Sequence, residues 1–149
     1  MTYDELCISY QKIVKIKEAY VTRECQALGI ENVKGLYKNG KVAIDRTLTN
    51  REKKCTLAEE LGHHYTSTGN ILDLRYYQNA KQERRAREWA AKELIKYEDF
   101  RKAIKIYQDI HQIADELNVT IEVVQTFMDM LYRENLSHIL LTNYECKTN

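Results

Sequence analysis

Glu59, Glu60 and His63 lie within five residues of one another in the stretch "LAEELGHHYTSTG", and their types and spacing could hold and use a divalent metal ion. On a helix, residues four apart sit about 40° apart around the axis and one turn along it, so Glu59 and His63 project side by side and can share an ion. Glu60 points about 100° away from Glu59. In a His-Glu-x-x-His helix the two histidines bind metal, and the intervening glutamate stays off the metal and accepts a proton from the bound water. Glu60 occupies that base position, but the first ligand position holds a glutamate, Glu59. A competing reading is a charged, salt-bridged helix face, which produces the same letters by chance. A further alternative pairs Glu60 with His64, also four apart, which would remove Glu60 from the base role.

A metal site of this kind needs a third ligand from another element. Glu83 in "QERRAREWAAKEL" is the natural candidate, because Ala86 and Ala90 lie on its side of a helix and small residues permit close approach to a neighbour. The alternative is an exposed Glu83 paired with Arg87 four residues on, worth only about 0.3 to 0.5 kcal/mol. Spacing alone leaves both readings open.

These residues must be positioned by the elements around them. Thr49-Asn50-Arg51-Glu52 fits a capping box, and Cys55, Ala58, Leu61 and Tyr65 follow at helical spacing, which predicts a helix from about Asn50 to Thr66 stopping near Gly69. Gly62 lies between this apolar stripe and the ligand pair, where its missing side chain lets another backbone or a substrate come close. Upstream, "GLYKNGKVAID" places Asn39-Gly40 between two apolar runs, the signature of a β-hairpin. Leu6, Tyr10, Ile13, Ile16 and Tyr20 recur at spacings of three and four, which predicts one helix over residues 3 to 28 with a break near Val14 to Ile16. Downstream, a helix from Leu72 or Asp73 to Tyr97 has Ala86, Trp89, Ala90, Leu94 and Tyr97 facing inward. Three more helices follow in "FRKAIKIYQDI", "IADELNV" and "TIEVVQTFMDMLYRE", and the end of the chain reads as a frayed tail. The order gives an α+β fold with a mostly helical second half.

The chain has 149 residues, enough for one domain with a core that needs no staples. We read residues 1 to 97 as the core that carries the site and residues 98 to 149 as a helical C-terminal part of the same domain. Lys and Arg number 23 against 22 Asp and Glu, so global charge does not point to nucleic acid or an anionic membrane. No apolar run reaches membrane-span length and the N-terminus lacks a secretory pattern, which predicts a cytoplasmic protein with no membrane partner. Cys7, Cys25, Cys55 and Cys146 form no CxxC pair and are expected to be buried thiols.

Taken together, "GLYKNGKVAID", "KKCTLAEELGHHYTSTGNILD" and "ERRAREWAAKEL" resemble the ImmA/IrrE family of zinc-dependent endopeptidases, common on temperate phages and integrative elements. The resemblance covers residues 35 to 95. The family motif His-Glu-Leu-Gly-His is matched by Glu60, Leu61, Gly62 and His63, with Glu59 at the first position. The second segment, Glu-x-x-Ala-Asn-x-Phe-Ala, is matched by Glu83, Ala86, Trp89 and Ala90, with Arg87 where Asn is usual. The resemblance implies a zincin-like fold with a small hairpin or sheet packed on the active-site helix, Glu60 as catalytic base, His63 and Glu83 as ligands, and zinc as cofactor. It also implies a role in relief of repression, by cleavage of a helix-turn-helix repressor of a mobile element. A degenerate site would leave an antirepressor that binds the repressor without cutting it.

Glu59 can itself ligate, so Glu59, His63, Glu83 and a water would complete a four-coordinate site. Two anionic ligands weaken the ion as a Lewis acid, and carboxylate-rich ligation could shift preference toward Mn2+ or Fe2+. His64 is placed near the metal or the substrate, and a tyrosine hydroxyl could join it at the oxyanion. Asp73 could accept the second N–H of His63, or cap the following helix. Arg84 and Arg87, with Lys81 and Arg85, either form a solvated face or rim the cleft and favour an acidic substrate segment.

The turn at Asn118-Val119-Thr120 resembles a helix-turn-helix corner, which raises DNA binding as a rival function. Charge argues against it. From His111 to Glu134 a single basic residue, Arg133, stands against Asp115, Glu116, Glu122, Asp129 and Glu134, and such a helix repels phosphates. Ile113, Leu117, Val124, Phe127 and Leu131 then read as core packing or as a docking surface for another protein.

Overall fold

The computed structural model describes residues 1–66 and 76–134. Asp73, Gly69, Cys146 and the C-terminal tail lie outside the described residues, as does the start of the helix expected at Leu72 or Asp73. The described elements, in chain order, are α1 (Tyr3–Tyr10), β1 (Lys15–Ala19), α2 (Val21–Ala27), β2 (Gly35–Lys38), β3 (Lys41–Asp45), α3 (Asn50–Thr66), α4 (Tyr76–Leu94), α5 (Tyr97–Ile106), α6 (Ile110–Glu116) and α7 (Ile121–Arg133).

The expected hairpin is present. Its strands pair antiparallel from Gly35 opposite Ile44 to Lys38 opposite Lys41, and the two turn residues Asn39 and Gly40 both take positive φ, at 48° and 72°. That double left-handed turn matches the strand twist, and it is why Asn-Gly is favoured there.

The single N-terminal helix is corrected. The chain breaks where Val14 to Ile16 suggested, but it then forms a strand and a short helix instead of a second helical half. β1 pairs parallel with β3, from Lys15 opposite Lys41 to Ala19 opposite Asp45, giving a sheet of order β1-β3-β2. Five residues of pairing with β3 outweigh the helical spacing of Ile13, Ile16 and Tyr20. Ile13 and Tyr20 are accordingly exposed, and Val14 and Val21 are the buried side chains. Asp45 ends β3 fully buried. Burial alone would raise its carboxyl, but hydrogen bonds from the Thr47 hydroxyl and from the backbone N–H groups of Thr22 and Thr47 outweigh it and hold the group at about 2.

α3 starts as read. Thr49 N–H donates to Glu52 at 3.0 Å and Glu52 N–H donates to the Thr49 hydroxyl at 3.3 Å, the reciprocal capping box. Cys55, Ala58 and Leu61 are buried, whereas Tyr65 at the helix end is exposed. α3 and α4 run through the centre and serve two apolar clusters. One gathers Leu6, Val42, Ile44, Leu57, Leu61 and Ala90 between sheet and helices. The other gathers Ala91, Phe100, Ile104, Ile113, Val124 and Phe127, so the apolar side of the corner is core. The expected helix to Tyr97 ends at Leu94, and α5 begins at Tyr97 after the two-residue joint Ile95-Lys96. No described helix is long and apolar enough to cross a membrane.

Candidate metal centre

The position of the centre follows from a glycine. A Cβ on Gly62 would lie 2.3 Å from the Ala86 carbonyl oxygen, so α3 and α4 touch backbone to backbone at this crossing. Ala86 is fully buried against it. His63 is adjacent to Gly62 in sequence and Glu83 is one turn before Ala86, so the close crossing carries the two side chains toward each other. His63 Nε2 stands 3.3 Å from Glu83 Oε1.

Glu59 completes the group. Glu59, His63 and Glu83 each offer one ligand atom, and these atoms all lie within 4.8 Å of one another; among the described residues they form a set able to hold a metal ion. One imidazole and two carboxylates from two closely packed helices are a donor set that suits a divalent ion such as zinc. His63 and Glu83 are already paired. Burial disfavours the His63 imidazolium, but the hydrogen bond and charge of Glu83, with Glu60 and Glu59 behind, outweigh it and raise its pKa. The same hydrogen bond from His63 lowers that of Glu83.

Glu60 faces a different surface. Gly35 of β2 lies over it, and a Cβ there would fall 2.6 Å from Thr56 Cγ2 and 2.9 Å from Glu60 Oε1. The start of the hairpin therefore roofs the Glu60 carboxyl, and a larger residue at position 35 would push it aside. Burial raises the Glu60 pKa to about 7, with the charge of His63 acting against that rise and Glu59 and Glu83 adding to it. A carboxyl poised near neutrality suits a group that must accept and return a proton.

A cavity of about 430 Å3 opens between β2 and the two helices, lined by Glu59, Glu60, His63 and Glu83 together with Lys34, Gly35, Tyr37, Thr56 and Arg87. A second, of about 510 Å3, continues toward the start of α7 and shares Lys34, Thr56, Glu59 and Arg87 with the first. The two form one groove past the candidate ligands, with the C-terminal helices supplying its far wall.

The remaining sequence candidates separate. His64 does not line the cavity. Its Nδ1 lies 2.9 Å from the Tyr37 hydroxyl, which also accepts the Gly40 N–H at 3.2 Å. The imidazole tautomer sets which of the two, the Tyr37 hydroxyl or His64 Nδ1, donates in this bond. His64 is thus tied to Tyr37 at the hairpin, and among the described residues no group of three possible ligands contains Glu60 and His64. Arg84 pairs with Glu88 at 3.8 Å and is not among the lining residues. Arg87 lies at the centre of the groove, with Nε 3.0 Å from Glu59 Oε1 and its NH2 group 3.8 Å from Glu83 Oε2.

Sequence reasoning left the choice among eleven tyrosines open and did not single out Lys34, Gly35 or Thr56. Tyr37 could have been found from the hairpin, because it sits two residues after Gly35 and therefore on the same strand face. Thr56 precedes Glu60 by one helical turn.

A mostly helical α+β domain with a small sheet over a Glu-Leu-Gly-His helix, and a glutamate presented from the next helix, has the architecture of a zincin-like metallopeptidase domain. The chain belongs to the family described as the IrrE N-terminal-like domain, whose model matches residues 12–128. Neither a curated protein nor a solved structure gives a significant match to it.

Proposed function

We propose that this protein is a metal-dependent endopeptidase that cleaves a helix-turn-helix repressor of a mobile element. The observation that carries the proposal is the convergence of Glu59, His63 and Glu83 on one point, with the partly buried Glu60 carboxyl beside it on the wall of the groove. An ion held there, with zinc as the family's usual metal and Mn2+ or Fe2+ as alternatives suited to two carboxylates, would supply Lewis acidity and a more acidic water. Glu60 takes the proton of the attacking water and returns it to the leaving amine. Tyr37 lines the same cavity, and its hydroxyl, hydrogen-bonded to His64, would be able to face the developing oxyanion. A groove running from the hairpin to α7 suits an extended polypeptide. The acidic α6–α7 corner supplies a wall of this groove through Thr120, Ile121 and Glu122 and is assigned no contact with DNA.

One observation favours a second reading, a repressor-binding protein without cleavage: the carboxylate at the first ligand position is already engaged by Arg87. Metal content and cleavage distinguish the two. For protein purified without chelators or a His tag, the peptidase reading expects near-stoichiometric metal, lost in His63→Ala and Glu83→Ala. It also expects a Glu60→Gln variant that keeps its metal and loses about 100-fold or more in cleavage of a repressor encoded beside the gene. Absence of metal after zinc or manganese is supplied, with repressor binding intact, would establish the binding protein instead.

A further inference from the structure

Arg87 is placed where the candidate metal centre needs a cation. Its guanidinium reaches both carboxylates of the ligand set, Glu59 at 3.0 Å and Glu83 at 3.8 Å, so it lies between them. His63, paired with Glu83 at 3.3 Å, completes a cluster in which two negative charges face one permanent positive charge and one that is present only when the imidazole is protonated. The metal-free centre thus has its own neutralising partner. Among the described residues the other cation lining the groove is Lys34, whose salt bridge is with Glu52, at 3.9 Å, and not with the ligand set.

We propose that Arg87 is the internal counter-cation of this centre and competes with the metal ion for Glu59, so that the Glu59–Arg87 contact sets how tightly the ion is held. The inference rests on the metal-centre reading above. A divalent ion between Glu59 and Glu83 would sit next to the guanidinium, where like charges repel and the same carboxylate is shared. The alternative is that Arg87 stays as an outer partner and steadies Glu59 through its second oxygen. Two features argue for displacement. Arg87 reaches both ligands at once, which puts its charge in the space between them. It also lines the adjoining cavity of about 510 Å3, which has Glu122 on its wall and gives a displaced guanidinium both room and an acidic neighbour.

The two arrangements predict opposite signs. Zinc and manganese affinities would be measured on the full chain by competition with a chromogenic chelator, for wild type, Arg87→Gln, Arg87→Lys and Arg84→Gln. Competition predicts that Arg87→Gln tightens binding of both ions by about threefold to fivefold, the scale of one partly exposed charge pair. Arg87→Lys, which keeps the charge and loses the planar fork, should gain less, and Arg84→Gln should leave affinity unchanged. In a Glu59→Ala background the gain from Arg87→Gln should shrink, since only the longer 3.8 Å contact with Glu83 is then left to compete. Chelator-treated Arg87→Gln should also melt a few degrees below wild type, because its carboxylates have lost their counter-cation. Unchanged or weaker metal binding in a folded Arg87→Gln protein overturns the proposal and leaves the metal centre standing. If neither wild type nor Arg87→Gln takes up either ion, the metal-centre reading fails and takes this proposal with it.

Discussion

The two halves of α3 treat buried charge in opposite ways. In the first half, Lys54 is almost fully buried, and its ammonium donates to the backbone carbonyls of Met1 at 3.0 Å and Asn118 at 2.6 Å. One turn away around the helix, Arg51 holds Asp115 at 2.6 Å and the Asn118 side chain at 3.3 Å. Each donor has a fixed acceptor, and together they tie the N-terminus and the α6–α7 corner to the helix. In the second half, Glu59, Glu60 and His63 border an open groove. Among the described residues no cationic side chain is bonded to Glu60, and burial raises its pKa to about 7. The difference teaches which charges build the fold: donors with fixed backbone acceptors give a rigid frame, whereas Glu60 keeps an ionisable carboxyl at a cost in burial.

The largest effect should come from breaking the joint that both halves share. Gly62→Ala drives a methyl group into the Ala86 carbonyl, and backbone cannot step aside as a flexible side chain can. We expect a loss of about 3 kcal/mol in urea unfolding, with metal binding lost as α3 and α4 separate. A variant with wild-type stability would mean that the helices do not cross so closely.

Lys54→Met should separate the halves. It leaves two carbonyls without their donor, for a loss of about 2 kcal/mol, while metal content stays as in wild type. Coupled loss of stability and metal would show that the corner and the centre form one cooperative unit rather than two.

The smallest effect has the opposite sign. Glu60 has a folded pKa raised above its ordinary value of 4.5, so ionising it opposes folding. Stability from this group is complete below about 4.5 and declines as pH rises through about 7. Glu60→Gln should therefore flatten the pH dependence of the metal-free melting temperature and stabilise the fold by about 1 kcal/mol above neutrality. A destabilised Glu60→Gln protein, in thermal scans at several pH values, would place Glu60 among the satisfied charges.

Much of the frame around the centre was legible because it rests on local rules. The Asn39-Gly40 turn and the Thr49–Glu52 capping box are each specified within four residues, and the juxtaposition of the candidate ligands Glu59 and His63 needed only helical spacing. Glu83 was reachable because Gly62 and the flanking alanines announce a close crossing. What escaped depends on partners distant in sequence. Lys15–Ala19 becomes a strand only because β3 offers an edge to it, and Tyr37 gains its place only when the hairpin lies over α3. Glu59 and Arg87 read as two separate departures from a family pattern, and Arg87 looked like the partner of Glu83 on its own helix. In the fold they are two ends of one contact, at 3.0 Å, shorter than the 3.8 Å to Glu83.

The parallel pairing of β1 with β3 also dictates an order of assembly. β2 and β3 meet across a two-residue turn, a closure of the kind completed in about 1 to 10 μs. β1 reaches β3 only after the chain has run through α2 and β2, so its docking waits for a longer loop to close. The hairpin that roofs Glu60 is thus the early piece of the sheet and β1 the late one. Substitutions in the Asn39-Gly40 turn should slow folding, whereas those in β1 should chiefly hasten unfolding.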